Sequence, residues 1–464
     1  MKSISEWIIE IESNFEVEKI TSKGVPIWPF YKVFLFDQLY VPGGTLVQHS
    51  FTDKLQLAKQ ALFGIGNYFD SDATDVAFST SEQRKEVNGE FPDKLIDGIR
   101  SQLSAESKLV HLELPVTPHR PAHEIPNKNT ASKLPLRLLE WYYDKKASDL
   151  ELKGSDVVAS ICQKTETTIS LAYVASRFWA QYTAMSVFLN KKKKIQRFWV
   201  VSSYMNFGAI HAAKERGIEV IEIQHGTITK EHFGYFHTRD FKATYFPDYL
   251  LTFGENEALF FKEQSRFVQK DKIYPIGHFY IESIYQSVRY EHNSFNKPRI
   301  TVSLQDDEIG EKVVPFMIEV AKKWSDCNVW FSPRRKSEAY YRENYDLPVN
   351  IFFNPQWNVY ESIAHGDLHT TVYSTCAIES PSLGTPNVIA NIAGRGKAYF
   401  GDFLSESEYT WYANSAEEYI EIVKQVAPLK FKEQNLIRAS NNQNIKADYF
   451  TNVEAFLKQL TNKS

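Results

Sequence analysis

The chain has 464 residues, 43% hydrophobic and 24% charged, which is enough for two or three packed domains. A formal net charge of −4 excludes a protein coated by nucleic acid. Three scattered cysteines, Cys162, Cys327 and Cys376, with no CxxC pair, exclude a disulfide framework or structural zinc site and fit a reducing compartment. The opening "MKSISEWIIEIESNFEVEK" carries acids among its apolar residues, unlike a signal peptide. No apolar run reaches the roughly 18 residues of a spanning helix. The lysine run "NKKKKIQR" (190–197) suits a solvated loop or a peripheral membrane contact.

In chain order, "DVAFST" (75–80) reads as a buried strand, "FPDKLIDGIRSQLS" (91–104) as a helix and "KLVHLELP" (108–115) as a strand. The stretch 116–170 begins proline-rich and irregular, then turns helical around "LPLRLLEWYYDKKASDLEL". A long helix follows through "TTISLAYVASRFWAQYTAMSVFLNKKKK". Next come strand "RFWVVSSY" (197–204), helix "NFGAIHAAKERG" (206–217), strand "EVIEIQHG" (219–226), strand "DYLLTFG" (248–254), helix "ENEALFFKEQ" and strand "DKIYPIGH" (271–278). Residues 284–298 are polar and aperiodic and read as a linker. A second series runs from "RITVSLQ" (299–305), through helix 311–325 and strands 328–336, 349–354 and 367–374, to helix 375–384 and strand 386–392. Two last helices cover 415–426 and about 445–460.

Alternating strands and helices predict parallel sheets covered by helices. The expected fold class is α/β, with two Rossmann-like domains whose parallel sheets face each other across a cleft. The expected domains are 1–285, with a helical insertion near 116–195, and 286–440. A segment 441–464 is expected to pack back on the first.

In open α/β sheets ligands bind beyond the carboxyl ends of the strands, which selects three groups. His225 ends a strand, between Gln224 and the small residues Gly226 and Thr227. A histidine there can accept a proton from a hydroxyl, or simply bond nearby backbone, and Gly226 permits a tight turn. Arg334, Arg335 and Lys336 follow a strand and suit a diphosphate, or form a solvated loop. Ser374 and Thr375 precede a helix whose N-terminus suits a phosphate, or only cap it, and Glu379 one turn on suits a ribose diol. The acidic "QDDE" (305–308) suits a metal or solvent. No GxxxxGK[ST], early GxGxxG, GxSxG or HExxH occurs.

The two-half layout resembles the glycosyltransferases of the GT-B fold. Within them, "IQHGTITK" (223–230) resembles the His-Gly-Thr segment of CDP-glycerol glycerophosphotransferases, and is similar to a "QHG" segment of capsule and lipopolysaccharide transferases. "PDYLLTFGENEALFF", "YPIGHFYIES" and "HTTVYSTCAIESPSLGTPNVI" resemble later segments of the same group, so the likeness covers roughly residues 197–400. It implies His225 as base or acceptor-side residue, and Ser374, Thr375 and Glu379 on donor phosphate and ribose. Many relatives carry His-Pro where this chain reads Ser332-Pro333-Arg334-Arg335, which leaves the donor class open.

The expected activity is therefore a metal-independent, inverting transfer of a sugar from a nucleotide-activated donor to a bacterial surface polysaccharide, capsule or O-antigen. The acceptor would be a glycan or lipid-linked glycan. No cofactor beyond the nucleotide-sugar substrate and no nucleic acid is expected, and the location is cytoplasmic or peripheral at the inner membrane. Alternatives are polyol-phosphate transfer from a CDP-alcohol, a non-catalytic sugar-binding or scaffold protein of polysaccharide export, and a sugar-nucleotide epimerase.

Overall fold

The computed structural model describes residues 2–40, 58–87, 89–288, 297–401 and 404–461. The chain forms two units. Unit 1 is Met1–Thr252, Asn256–Pro275 and Val453–Ser464; unit 2 is Phe253–Glu255 and Ile276–Asn452. Each is built on a parallel sheet, so the α/β class read from the alternating pattern is the one observed.

We number the strands of the two large sheets in chain order. In unit 1 they are β1 (Asp75–Thr80), β2 (Leu109–Leu114), β3 (Thr130–Ser132), β4 (Arg197–Val201), β5 (Glu219–Ile223), β6 (Tyr249–Thr252) and β7 (Ile273–Pro275). Their spatial order is β7-β6-β5-β4-β1-β2-β3. Every neighbouring pair is parallel. Strands covered on both faces need near-continuous apolar runs, and β4 and β5 supply them with four buried residues of five each. The order reverses between β1 and β4, and such a switch point opens a crevice at the carboxyl edge.

Three differences from the sequence reading have local causes. The first is β3, which lies inside the proline-rich stretch expected to be irregular. It is only three residues long and pairs with β2 through His111↔Thr130, so no hydrophobic run announces it. The second is the helix expected over 91–104, which begins at Ile96 because Asp93 Oδ1 caps it, accepting the N–H groups of Leu95 and Ile96 at 2.9 Å each. The third is the helix expected over 375–384, which is broken. Cys376–Glu379 is a short helix and Pro381–Leu383 a separate 3-10 turn, because Pro381 has no N–H to continue the ladder. Of the expected linker, 284–287 lies in the helix Phe279–Ser287, and 289–296 falls outside the described residues.

Helices Ile4–Asn14 and Trp28–Tyr40 contribute Ile8, Ile11, Trp28 and Phe36 to the unit 1 core. Helix Phe207–Lys214 crosses helix Leu171–Asn190 at Gly208, where a Cβ would stand 2.1 Å from the Phe178 carbonyl oxygen; only glycine fits. Phe456, from helix Tyr449–Thr461, packs on Tyr249 and Tyr274 of β6 and β7 at ring distances of 5.8 and 5.0 Å.

Unit 2 holds β8 (Arg299–Ser303), β9 (Asn328–Ser332), β10 (Ile351–Phe353), β11 (Leu368–Thr370), β12 (Asn387–Ala390) and β13 (Thr410–Ala413), ordered β10-β9-β8-β11-β12-β13. All pairs are parallel, and the order reverses between β8 and β11. Helix Val313–Lys323 buries Val313, Val314, Met317, Val320 and Ala321, the 3.6-residue spacing of an amphipathic stripe. Among the described residues no helix is long and apolar enough to cross a membrane.

Candidate active site

In unit 1, His225 stands two residues past the end of β5 and is half-buried. Gln224 is fully buried and its Nε2 donates to the Gly226 carbonyl at 2.8 Å, so the side chain of Gln224 shapes the turn rather than facing a ligand. The turn does not require a glycine. Gly226 is not left-handed, and a Cβ there would meet nothing within 4 Å. Thr227 is exposed.

The residues that surround His225 are ones the sequence reading missed. Tyr235 Oη lies 3.4 Å from His225 Nδ1 and hydrogen-bonds Glu222 Oε1. Glu222 belongs to β5 and is fully buried; its Oε1 also accepts the Ser203 N–H at 3.1 Å. That N–H is delivered by Ser202, which follows β4 in a left-handed conformation (φ 57°, ψ 63°), a strained state for serine. Tyr204 packs edge-on to Tyr235 at 5.2 Å and to His232 at 5.2 Å. A Cβ on Gly234 would approach the Tyr204 ring to 2.6 Å, so here a glycine is needed. His232 stands edge-on to His225, ring centres 6.1 Å apart.

The loop carrying these groups is tied to the N-terminal helices. Glu12 Oε2 accepts the Thr238 N–H at 2.8 Å and its hydroxyl at 2.6 Å. Buried Lys32 reaches His237 Nδ1 at 3.0 Å, and Ser265 Oγ donates to the Tyr235 carbonyl at 2.6 Å.

The electrostatics follow from burial. Desolvation, with the Lys94 ammonium second, pushes the His225 pKa down to about 4; burial and then His225 push that of His232 to about 4. Both imidazoles are neutral at pH 7. Burial raises the Glu222 carboxyl to about 7, held from going higher by bonds from Ser203 and Tyr235. Burial also raises Glu257, next to Gln224, to about 7. At the same edge Lys133, just past β3, is buried with its pKa pushed down to about 7; its Nζ bonds Asn206 Oδ1 at 2.7 Å over the Phe78 ring.

The tautomer of His225 follows from the proton inventory. An ionised Glu222 only accepts, so Tyr235 donates to it. The Tyr235 oxygen then accepts from His225 Nδ1–H, which leaves the lone pair on Nε2. Among the described residues Nε2 has no partner. The arrangement presents one base atom, with an oriented path to a carboxylate behind it.

A second buried cluster in unit 1 brings ligand atoms of Asp93, His111 and Glu113 within 4.8 Å of one another. A cation already occupies it. Arg84 Nε donates to Glu113 Oε2 at 2.6 Å and its guanidinium reaches Asp97 Oδ2 at 3.3 Å. This is a structural ion network.

In unit 2, the residues selected from sequence all lie at one edge of the sheet. Arg334–Lys336 follow β9 and Ser374–Thr375 follow β11, the two strands that flank β8. Adjacent strands are about 4.8 Å apart, which puts the two groups roughly 10 Å from each other along the edge. Arg334 and Arg335 are exposed and, among the described residues, make no hydrogen bond or ion pair. Lys336 differs. Its Nζ donates to Glu311 Oε1 at 2.8 Å and Tyr340 Oη at 2.9 Å, so its charge is already matched and its pKa is raised. Ser374 Oγ accepts the Cys376 N–H at 3.4 Å, a weak cap, and Thr375 is exposed. The helix behind them has four residues, so the dipole expected at its N-terminus is small. Glu379 is held by the Tyr360 hydroxyl at 3.2 Å. Asp307 of the acidic run accepts the Gly310 N–H at 2.9 Å and the Tyr373 hydroxyl. Beside it lies a pocket of about 340 Å³, lined by Ile309, Tyr373, Arg395, Ala398 and Tyr399, that sequence spacing did not reveal.

No family model and no curated protein matches the chain. Solved structures with a similar course include a putative UDP-N-acetylglucosamine 2-epimerase from Listeria monocytogenes, at 11% identity over 84% of this chain and 98% of that one, TM-score 0.48. The UDP-GlcNAc 2-epimerase from Neisseria meningitidis bound to UDP-GlcNAc matches at 11% identity over 84% and 99%, TM-score 0.49. The calicheamicin glycosyltransferase CalG4 matches at 12% over 84% and 98%, TM-score 0.45. Identities of this size and scores below one half leave the role of each residue to be read from this chain's own geometry.

Proposed function

We propose that the protein is a nucleotide-sugar enzyme of the GT-B type that transfers a sugar to a hydroxyl of a growing surface polysaccharide, capsule or O-antigen. The observation that carries the reading is the His225–Tyr235–Glu222 chain at the carboxyl edge of a parallel sheet, which leaves one base atom, Nε2, without a partner among the described residues. The acceptor proton passes to His225 Nε2 as the acceptor oxygen attacks the anomeric carbon. The bond from that carbon to the phosphate oxygen breaks, and the nucleotide leaves. Positive charge on the imidazole is then met through Tyr235 by Glu222. Attack from the face opposite the leaving group inverts the anomeric centre.

Unit 2, taken by itself, carries residues suited to a nucleotide-sugar. Arg334 and Arg335, unpaired among the described residues, match a diphosphate bidentately, in place of a metal ion, and the Ser374 and Thr375 hydroxyls stand roughly 10 Å along the same sheet edge. Lys336 is committed to Glu311 and shapes the loop. Glu379, oriented by Tyr360, accepts from the ribose diol, and the pocket of Tyr373, Arg395 and Tyr399 suits the base. The test is incubation with a panel of sugar nucleotides and an acceptor glycan, read by mass. A gain of one sugar, lost in His225→Ala, supports transfer; a gain of a polyol phosphate overturns it.

One observation favours a second reading, epimerisation of the donor. Glu257, beside Gln224 at the strand tip, has a carboxyl near neutrality whose Oε2 has no hydrogen-bond partner among the described residues, which suits exchange of a carbon-bound proton. Deuterium uptake at C2 of UDP-GlcNAc in heavy water without acceptor would select it over transfer.

A further inference from the structure

Helix Leu134–Lys146 buries Leu136 and Glu140 and turns a different face outward. On it stand Leu138, Trp141 and Tyr142, 60%, 59% and 45% exposed, at the spacing of one helical stripe, continued by Lys145 and Lys146. An exposed tryptophan beside an exposed leucine is costly on a surface that meets only water. Lys145 Nζ lies 4.0 Å over the Trp141 ring and Lys146 Nζ 4.2 Å over Tyr142, so each cation rides above an aromatic ring. Helix Leu171–Asn190 runs alongside, joined by Ser176 Oγ to Asp144 Oδ1 at 2.6 Å. It adds Tyr173, 48% exposed, and Arg177, whose guanidinium lies 5.5 Å from that ring.

The charges on this face are unequal. Glu140 is matched by Arg137, while Asp144, bonded by the neutral Ser176 hydroxyl, keeps its negative charge against three cations. Lys145, Lys146 and Arg177 pair with no carboxylate among the described residues. An aromatic and aliphatic stripe rimmed by unmatched cations complements an anionic surface with an apolar layer just beneath it.

We infer that the face of Leu138, Trp141, Tyr142, Lys145 and Lys146, extended by Tyr173 and Arg177, docks on the surface of an anionic phospholipid bilayer. The apolar side chains enter the headgroup boundary and the cations meet lipid phosphates. This does not depend on the catalytic reading, because binding is measured without turnover.

The experiment is cosedimentation of the full chain with vesicles of phosphatidylglycerol and phosphatidylcholine, and with phosphatidylcholine alone. Binding is expected to the anionic vesicles and to weaken with salt. Lys145→Gln/Lys146→Gln should lower partitioning by roughly fivefold per cation. Leu138→Ser/Trp141→Ser should lower it by at least tenfold, with unchanged circular dichroism because both side chains are exposed. Failure of the native chain to pellet with anionic vesicles overturns the inference, as does pelleting of both variants equal to that of the native chain. A halving of the native chain's solution mass in Leu138→Ser/Trp141→Ser, or loss in it of binding to a soluble glycan, would assign the face to a second copy or a sugar and also overturn it.

Discussion

Glu222 sets up a conflict between stability and chemistry that can be measured. Its carboxyl binds a proton more tightly in the folded chain, near pH 7, than in the unfolded chain, near 4.5. Folding is therefore favoured at low pH by this group, and the benefit is lost as pH rises through that window, by up to about 3 kcal/mol at 1.36 kcal/mol per unit. Glu222→Gln keeps an acceptor for Ser203 and Tyr235 but removes the buried charge. Its melting temperature at pH 8 should exceed that of the native chain, while activity falls. His225 and His232 act in the opposite sense. Their pKa values are depressed to about 4, so stability is lost as pH falls from about 6.5 to 4. His225→Ala should lower kcat by roughly 10²–10⁴-fold. Tyr235→Phe, acting through His225, should cost roughly 10–100-fold and shift the acid limb of the pH profile, which a purely structural residue would not do. Arg334→Ala/Arg335→Ala should raise the donor KM strongly and leave the melting temperature unchanged, since neither side chain has a partner to lose among the described residues. Activity in the native chain should survive chelation by EDTA.

At the level of elements, one helix crossing in unit 1 rests on a single glycine. Gly208→Ala would force the helices Phe207–Lys214 and Leu171–Asn190 apart, and overpacking of this kind costs about 1–3 kcal/mol, readable as a lower denaturant midpoint at unchanged slope. The same elements show what was legible in the chain. Long apolar runs such as β4 and β5 declare themselves, and with them the strand tips at His225 and Ser374. The edge strand β3 does not, because three residues of Thr, Ala and Ser carry no period. Around His225 the partners were hidden for different reasons. Glu222 reads as a surface alternation within a strand, yet both its faces are covered. Tyr235 lies ten residues downstream in a loop, placed by Glu12 and Lys32 from the far N-terminus. Lys336 looked identical to its arginine neighbours until Glu311, twenty-five residues earlier, took its charge.

For the molecule as a whole, the chain's path matters as much as its sheets. Unit 1 contains residues 453–464 although the rest of it ends at Pro275. Cutting the chain after Asn452 removes Phe456 from Tyr249 and Tyr274 and uncovers the face of β6 and β7 that carries them. The melting temperature of unit 1 should drop, and the fragment should bind a dye specific for apolar surface. The same geometry imposes an order in time on a ribosome. All of residues 276–452 must be synthesised before the helix bearing Phe456 exists, a wait of about 10–35 s at 5–20 residues per second. For that interval the nascent unit 1 carries an uncovered aromatic face at the end of its sheet, so the growing chain needs shielding by a chaperone during the very period in which the second unit is being made.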